Sequence, residues 1–459
     1  MAPHADFFEN DMSSWISHVI NTDSVSSLSA GGIGMVTLPG SFAQLGWTEG
    51  FGLLIIAAIA AAASLFFLDW ACQAIVSKQS ENGHRHSSHS MDAATTSSYA
   101  GLVAHTLGHP GSQTLEFLTL TYCLGQVIAY LGAIGGQVVS LLSLVGFLDW
   151  TIHECICGVA LVVIFPLSLL PEAGAMRFAG FLGTICMIYI AGAVVLGDGI
   201  GALKGGGMCS LSDSAAAVDD DGDGGGMGSY TTLLKNAPIF LFSMNASVTY
   251  VPVRYQHRTC LGELLVGGTL STSGIVKRES TTVIWTSILV AGFFYAVCSG
   301  VAYMAYCDQV PENVVDVWPL TWIPGSLARF FLAIELTMAA AGIYVPLGRA
   351  AFWHLLFGPF EKVAAKGATR TIVTLAFVAV SAFGSILLGG ALALPLSITS
   401  ALCVTAQMFV LPGLCVSTLL PGSRIRNIIP GGRMTALGFA LFGGIFGILS
   451  LAALFGLMG

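Results

Sequence analysis

Residues 30–46 place glycines at 31, 32 and 34 and a proline at 39 where a first membrane-crossing helix is expected. A helix interrupted inside a bilayer frees backbone N–H and C=O groups that hydrocarbon cannot satisfy. The interruption must therefore face protein or a water-filled cavity, and such a cavity is where a transporter holds its substrate. Glycines also let a ligand approach the main chain with no Cβ in the way. The competing use of these glycines is close helix packing, common in membranes.

The membrane assignment rests on composition. Charged residues make up 9% of the chain and mean hydropathy is +0.81, whereas a soluble domain is roughly 25% charged. A crossing helix needs about 20 apolar residues. Eleven helices are read at about 22–46, 51–77, 114–145, 151–170, 177–200, 231–254, 281–306, 326–352, 370–390, 393–419 and 434–458. The expected fold class is an all-α polytopic membrane protein: a tail of residues 1–21, then one transmembrane domain over 22–459. The tail carries Asp6, Glu9 and Asp11 with no basic stretch, so no cleavable signal is expected.

Charge sets the expected orientation. With the N-terminus in the cytosol, 14 of the 17 Lys and Arg fall inside, and only Lys204, Lys235 and Arg329 fall outside, as the positive-inside rule demands. The inner loop 78–113 is rich in Ser, Thr and His over 78–98, and the outer loop 202–229 is acidic and glycine-rich. Both are expected to be disordered in large part. Asp219-Asp220-Asp221-Gly222-Asp223 lacks the closing Glu of a calcium loop. His84, His86 and His89 lie in a flexible tract, and no metal site is expected. The eleven cysteines are mostly scattered in apolar runs as small packing residues. Cys209 and Cys307 both fall on the outer side, where an oxidising compartment would allow them to pair. The net charge of −8 argues against nucleic acid. No HExxH, GxSxG or paired-Asp motif supports an enzyme.

A second interruption is expected five helices after the first, because halves of several transporters are inverted repeats with broken helices at matching positions. There Ser243, Asn245, Ser247 and Thr249 cluster mid-span between Pro238 and Pro252. A half-helix starting near Ile33–Met35 exposes N–H groups and a positive dipole end that suit a carboxylate, worth about 0.3–2 kcal/mol. Freed carbonyls near Ser29–Gly31 and around Ser243 suit an ammonium group. A ligand carrying both groups is an α-amino acid.

The run Gly32-Ile33-Gly34-Met35-Val36-Thr37-Leu38-Pro39, followed by Phe42-Ala43-Gln44-Leu45-Gly46-Trp47, resembles the first helix of the amino acid/auxin permease family, within the APC superfamily. Further matches follow in order: Ser98-Tyr99-Ala100-Gly101, Ala129-Tyr130-Leu131 with Gly135-Gly136-Gln137, Pro166-Leu167-Ser168-Leu169-Leu170, Tyr306-Cys307-Asp308-Gln309-Val310-Pro311, and Pro346-Leu347-Gly348-Arg349. The resemblance spans roughly residues 28–420. It implies a LeuT-like 5+5 inverted repeat of eleven helices, with helices one and six broken, and ion-driven amino acid transport. It carries the backbone site at Gly31, Gly32, Ile33 and Gly34, and the facing segment with Phe242, Ser243 and Asn245, onto this chain.

Sodium-coupled members usually carry an Asn four residues before the Gly-x-Gly. This chain has Leu28 there, between Ser27 and Ser29, and so lacks that hard oxygen ligand for sodium. Glu335 is the outstanding intramembrane acid, and a charge at a helix centre costs roughly 2.5–3.5 kcal/mol on insertion scales. It is the candidate proton carrier, with a structural pair to Arg329 as the competing role. Thr337 and Ser29 are candidate cation ligands, and Tyr130 and Gln137, sharing a face of helix three, are candidate pocket residues. Asp69 and Glu116 are expected to be structural, snorkelling to the cytosolic surface.

The expected activity is proton-coupled amino acid symport, with a sodium-coupled neutral amino acid transporter, or a non-transporting sensor or channel, as the alternatives. The coupling ion, H+ or Na+, takes the place of any cofactor. The partners are a small amino acid and the lipid bilayer, in the plasma membrane or a vacuolar or lysosomal one.

Overall fold

A computed structural model describes residues 32–82, 98–147, 150–170, 172–199, 227–251, 272–357, 367–419 and 432–457. Among them the chain is all-α, with no strand. The helices are α1 (Gly32–Leu45), α2 (Trp47–Asn82), α3 (Tyr99–Leu144), α4 (Ile152–Leu167), α5 (Glu172–Ala193, with a π-helical end Val194–Gly199), α6 (Met227–Ser243), α7 (Thr272–Tyr306), α8 (Ile323–Leu356), α9 (Gly367–Leu387), α10 (Ala393–Leu419) and α11 (Arg433–Leu454). Each predicted helix overlaps one of these, although the first half of the predicted first helix lies outside the described residues. By length and composition α2, α3, α7, α8, α9, α10 and α11 can cross a membrane.

The burial pattern is the reverse of a soluble domain's at the rim. Ile55 and Ile59 of α2, Ile372 and Phe383 of α9, and Leu441 and Ile448 of α11 are all exposed. So much contiguous apolar surface needs hydrocarbon to cover it. At the centre, every residue of α1 from 33 to 42 is buried. α6 and α7 pack on α1, while α3 packs on α4, α8, α9 and α10, and α8 also packs on α5.

Several elements depart from the sequence reading. The connection expected over 78–113 contains helical ends: α2 runs to Asn82, and α3 begins at Tyr99. The Ser98 side chain caps α3 by accepting from the Gly101 amide at 3.0 Å. Leu102 and Val103 are fully buried, and the Tyr99 hydroxyl donates to the Gln407 carbonyl of α10 at 3.0 Å. Gly108, at φ 76°, bends α3 just before Pro110, a conformation that glycine adopts at little cost. α8 is π-helical over Ala340–Tyr344, and α10 over Ser400–Val404 and Ala406–Val410. Regular 3.6-residue spacing would align Glu335, Ala339, Gly342, Pro346 and Arg349, but the π turn of α8 shifts the register partway along that face.

Asp69 and Glu116 are buried rather than snorkelling. Gln73 Nε2 donates to Asp69 Oδ2 at 2.6 Å, and Glu116 Oε1 lies 3.0 Å from His354 Nδ1 of α8. Each acid has found a polar partner, which burial requires. Arg349, also buried, donates to Thr374 Oγ1 at 2.9 Å and to the Ser168 carbonyl at 3.3 Å, tying α8 to α9 and α4.

Between α7 and α8 a strap crosses the end of the bundle predicted to be outer. Backbone at Pro311 overlies Gly40 of α1, where an added Cβ would lie 2.8 Å from the Pro311 carbonyl oxygen. Glu312 Oε2 accepts from the Ala393 amide at 3.2 Å and the Leu392 amide at 3.4 Å, which suits an anion at a helix N-terminus. Gln137 Nε2 of α3 donates to Asp316 Oδ1 at 2.9 Å. Arg329 of α8 donates through Nη2 to the Trp318 carbonyl at 2.7 Å and the Val315 carbonyl at 3.2 Å. Its Nη2 thus serves the strap and not Glu335, while Nε and Nη1 are buried with no hydrogen-bond partner among the described residues. Replacing Arg329 by Met is expected to cost about 2–3 kcal/mol, read as a lower melting temperature in detergent. An unchanged melting temperature would show that the strap is held without it.

Candidate functional site

The break in α6 is local chemistry made visible. α6 ends at Ser243, residues 244–246 are not helical, and a helical turn resumes over 247–251. Asn245 Oδ1 accepts from the Ser247 amide at 3.1 Å, and the Asn245 amide donates to the Phe242 carbonyl at 3.0 Å. Asn competes for backbone groups in this way and so ends one helix and caps the next without glycine or proline. The Ser247 hydroxyl then meets that of Ser64 in α2 at 3.1 Å.

α1 passes directly beside that break. A Cβ built on Gly34 would lie 2.5 Å from Ser243 Oγ and 2.7 Å from Ser243 Cβ. Gly34 and Ser243 are therefore in contact, main chain to side chain. Gly32, Ile33 and Gly34 belong to the first turn of the described helix α1. The structure thus shows no interruption between positions 32 and 34. Gly31 and Ser29 lie outside the described residues, as does the first half of the predicted helix.

A ring of aromatic side chains closes on the same place. Tyr344 of α8 stands edge-on to Tyr130 at 5.3 Å and to Tyr122 at 5.9 Å between ring centroids. Tyr122 lies 6.2 Å from Phe242 of α6 and its hydroxyl is a neighbour of the Asn245 side chain. Tyr122, Gln126 and Tyr130 recur every four residues and share one face of α3. Gln126 is fully buried, and neither its Oε1 nor its Nε2 has a hydrogen-bond partner among the described residues.

Glu335 sits behind this ring. It is 2% exposed, and both carboxyl oxygens lack a hydrogen-bond partner among the described residues. Tyr130, Tyr344, Tyr295 of α7 and Cys186 of α5 lie within electrostatic reach of it. Arg329 does not bond it; its Nη2 goes to the strap. Thr337, half-buried, is two residues further along α8 and projects from another face. Gln137 reaches the strap instead of the aromatic ring.

A cavity of about 240 Å³ opens above the contact, between α1, α6, α10 and the strap, lined among others by Thr37, Gln44, Lys235, Ile239, Glu312 and Ser397. None of the predicted substrate residues lines it. Its floor is nevertheless one turn away, since Ser243 Oγ donates to the Ile239 carbonyl at 2.9 Å and Thr37 Oγ1 to the Ile33 carbonyl at 3.0 Å.

Of the predicted residues, the structure brings together Gly34, Phe242, Ser243, Asn245 and Tyr130, with Glu335 within electrostatic reach of Tyr130. It adds Tyr122, Gln126 and Tyr344. The four-residue repeat of Tyr122, Gln126 and Tyr130 was available in the sequence; Tyr344 carried no mark that set it apart.

Residues 12–211 match the family model described as transmembrane amino acid transporter protein. Over that stretch the chain is similar to this family. A search of curated proteins finds no match. Among solved structures, a nucleobase-cation-symport-1 family transporter, in a closed conformation with bromovinylhydantoin bound, is similar with TM-score 0.50 at 15% identity, covering 95% of this chain and 90% of that one. A mutant of the Eremococcus coleocola manganese transporter is similar with TM-score 0.49 at 14% identity, over 96% of this chain and 86% of that one. The first likeness speaks of the fold, which is LeuT-like. The protein is a multi-pass integral membrane protein.

Proposed function

We propose that this protein is a proton-coupled amino acid symporter. The observation that carries the reading is Glu335: a buried carboxyl with no hydrogen-bond partner among the described residues, beside the aromatic ring that faces the α6 break. An ionised carboxylate is costly in such a place. A group that is neutral when protonated, and must meet water or an ammonium to ionise, can couple a proton to substrate movement. The amino acid is held with its carboxylate toward the N–H groups at the start of α1, Gly31 to Gly34. Its ammonium lies toward carbonyls near Ser29 and Ser243, with Tyr130, Phe242 and Asn245 around it.

The orientation follows the charge asymmetry, with the N-terminus cytosolic and the strap outside. Cys307, at the start of the strap, is disulfide-bonded, which agrees with an oxidising compartment on that side. Its expected partner, Cys209, lies outside the described residues. The plasma membrane and a vacuolar or lysosomal membrane both meet this condition.

Purified protein in liposomes, offered labelled amino acids under a proton gradient or a sodium gradient imposed separately, tests the reading. Accumulation driven by the proton gradient alone is expected. Accumulation that needs sodium would assign the ion to Thr337 and Ser29 instead. Equilibration with no saturation under either gradient would indicate a channel.

A further inference from the structure

Gln126 has no role in the reading above, and its surroundings give it one. It lies one turn from both Tyr122 and Tyr130 on the face of α3 that meets Tyr344 and Phe242. Its neighbours on the helix fix the direction of that face. Gly125 packs against Thr399 of α10, and Cys123 against Gly348 of α8. The face of Gln126 therefore points between α8 and α10, toward the α6 break. At 0% exposure it presents one acceptor and an NH2 donor, both without partners among the described residues. A buried carboxamide left in that condition costs free energy that an apolar side chain of similar size would avoid.

We propose that Gln126 is a specificity-determining residue, and that it selects amino acids whose side chain is uncharged and hydrogen-bonding, a carboxamide above all. This rests on the amino acid reading above and deepens it. A carboxamide offers a donor and an acceptor in one plane, so two carboxamides can satisfy each other reciprocally. A charged side chain would need a counter-charge. Glu335 is committed to the proton, Arg349 is bonded to α4 and α9, and Arg329 is held against the strap through Nη2. An aliphatic side chain would leave the Gln126 group unpaired, and a site built to hydrogen-bond discriminates strongly against such analogues.

The test is uptake of labelled glutamine and leucine into liposomes by wild type, Gln126→Leu and Gln126→Asn. Wild type is expected to prefer glutamine. In Gln126→Leu the glutamine-to-leucine ratio of kcat/KM should fall about 10- to 100-fold, with leucine uptake rising. Removing an orphaned amide should leave the melting temperature the same or higher. Glutamine should then no longer raise it, while leucine should. Gln126→Asn, one methylene shorter, should weaken glutamine uptake yet keep its preference over leucine. A uniform loss of both substrates in either variant would make Gln126 a main-chain contact or a packing residue, and would overturn the proposal. Equal transport of leucine and glutamine by wild type would overturn it while leaving amino acid transport standing. Absence of any amino acid uptake by wild type would overturn both.

Discussion

Glu335→Gln is expected to reduce uptake driven by a proton gradient to background, a loss of more than about 100-fold if the protein is a symporter of the proposed kind. The amide copies the shape of the protonated acid and cannot release a proton. The variant should therefore still bind substrate and exchange labelled for unlabelled amino acid across the membrane. Expression and melting temperature should hold, because a neutral group replaces one whose charged form has no partner among the described residues. Counterflow with and without a gradient separates the two activities. Proton-driven uptake at the wild-type rate would remove Glu335 from the coupling.

The second large effect is expected at the meeting of α1 and α6. Gly34→Ala puts a methyl group 2.5 Å from Ser243 Oγ and 2.7 Å from Ser243 Cβ. Overpacking of that kind typically costs 1–3 kcal/mol, and here it pushes apart the two segments that hold the ligand. Uptake should fall at least about 10-fold, with Gly34→Val worse. The rescue pattern is specific. Ser243→Ala removes only the hydroxyl and leaves the Cβ clash, so it should restore little to Gly34→Ala. Ser243→Gly removes both atoms and should restore most of it. Equal rescue by the two, or none by either, would show that these helices do not meet as described. Radiolabelled binding and uptake in the single and double variants give the cycle.

How much of this was legible before the structure depends on the kind of interaction. Apolar runs separated by polar loops marked the apolar body of the helices, because a bilayer imposes length and composition on anything that crosses it, but not their polar ends, as at Tyr99 of α3 and Thr272 of α7. The α6 break was visible as polarity alone, and Asn245 shows why polarity sufficed: its side chain supplies the hydrogen bond that a turn would otherwise need. Partnerships across the fold were not legible. Gln73 stands four residues after Asp69, the spacing of a helical pair, but nothing near Glu116 named His354, 238 residues away. A structural pair of Arg329 with Glu335 was the competing reading, because the two are near in sequence. The Arg329 Nη2 serves the strap instead, donating to the carbonyls of Val315 and Trp318 at the 3-10 turn Val314–Val317. The π turns of α8 and α10 leave no periodic signature, so the register that brings Tyr344 to Tyr130 and Tyr122 was hidden.

The most direct measurement is an experimental structure with a labelled or heavy-atom-substituted amino acid bound. The proposed mechanism predicts an unwound segment just before Gly32, the ligand carboxylate within hydrogen-bond distance of the amides of Gly32 to Gly34, and its ammonium facing the gap between Ser243 and Ser247. A continuous helix through positions 28 to 40, or a ligand seated away from the Gly34–Ser243 contact, would contradict it.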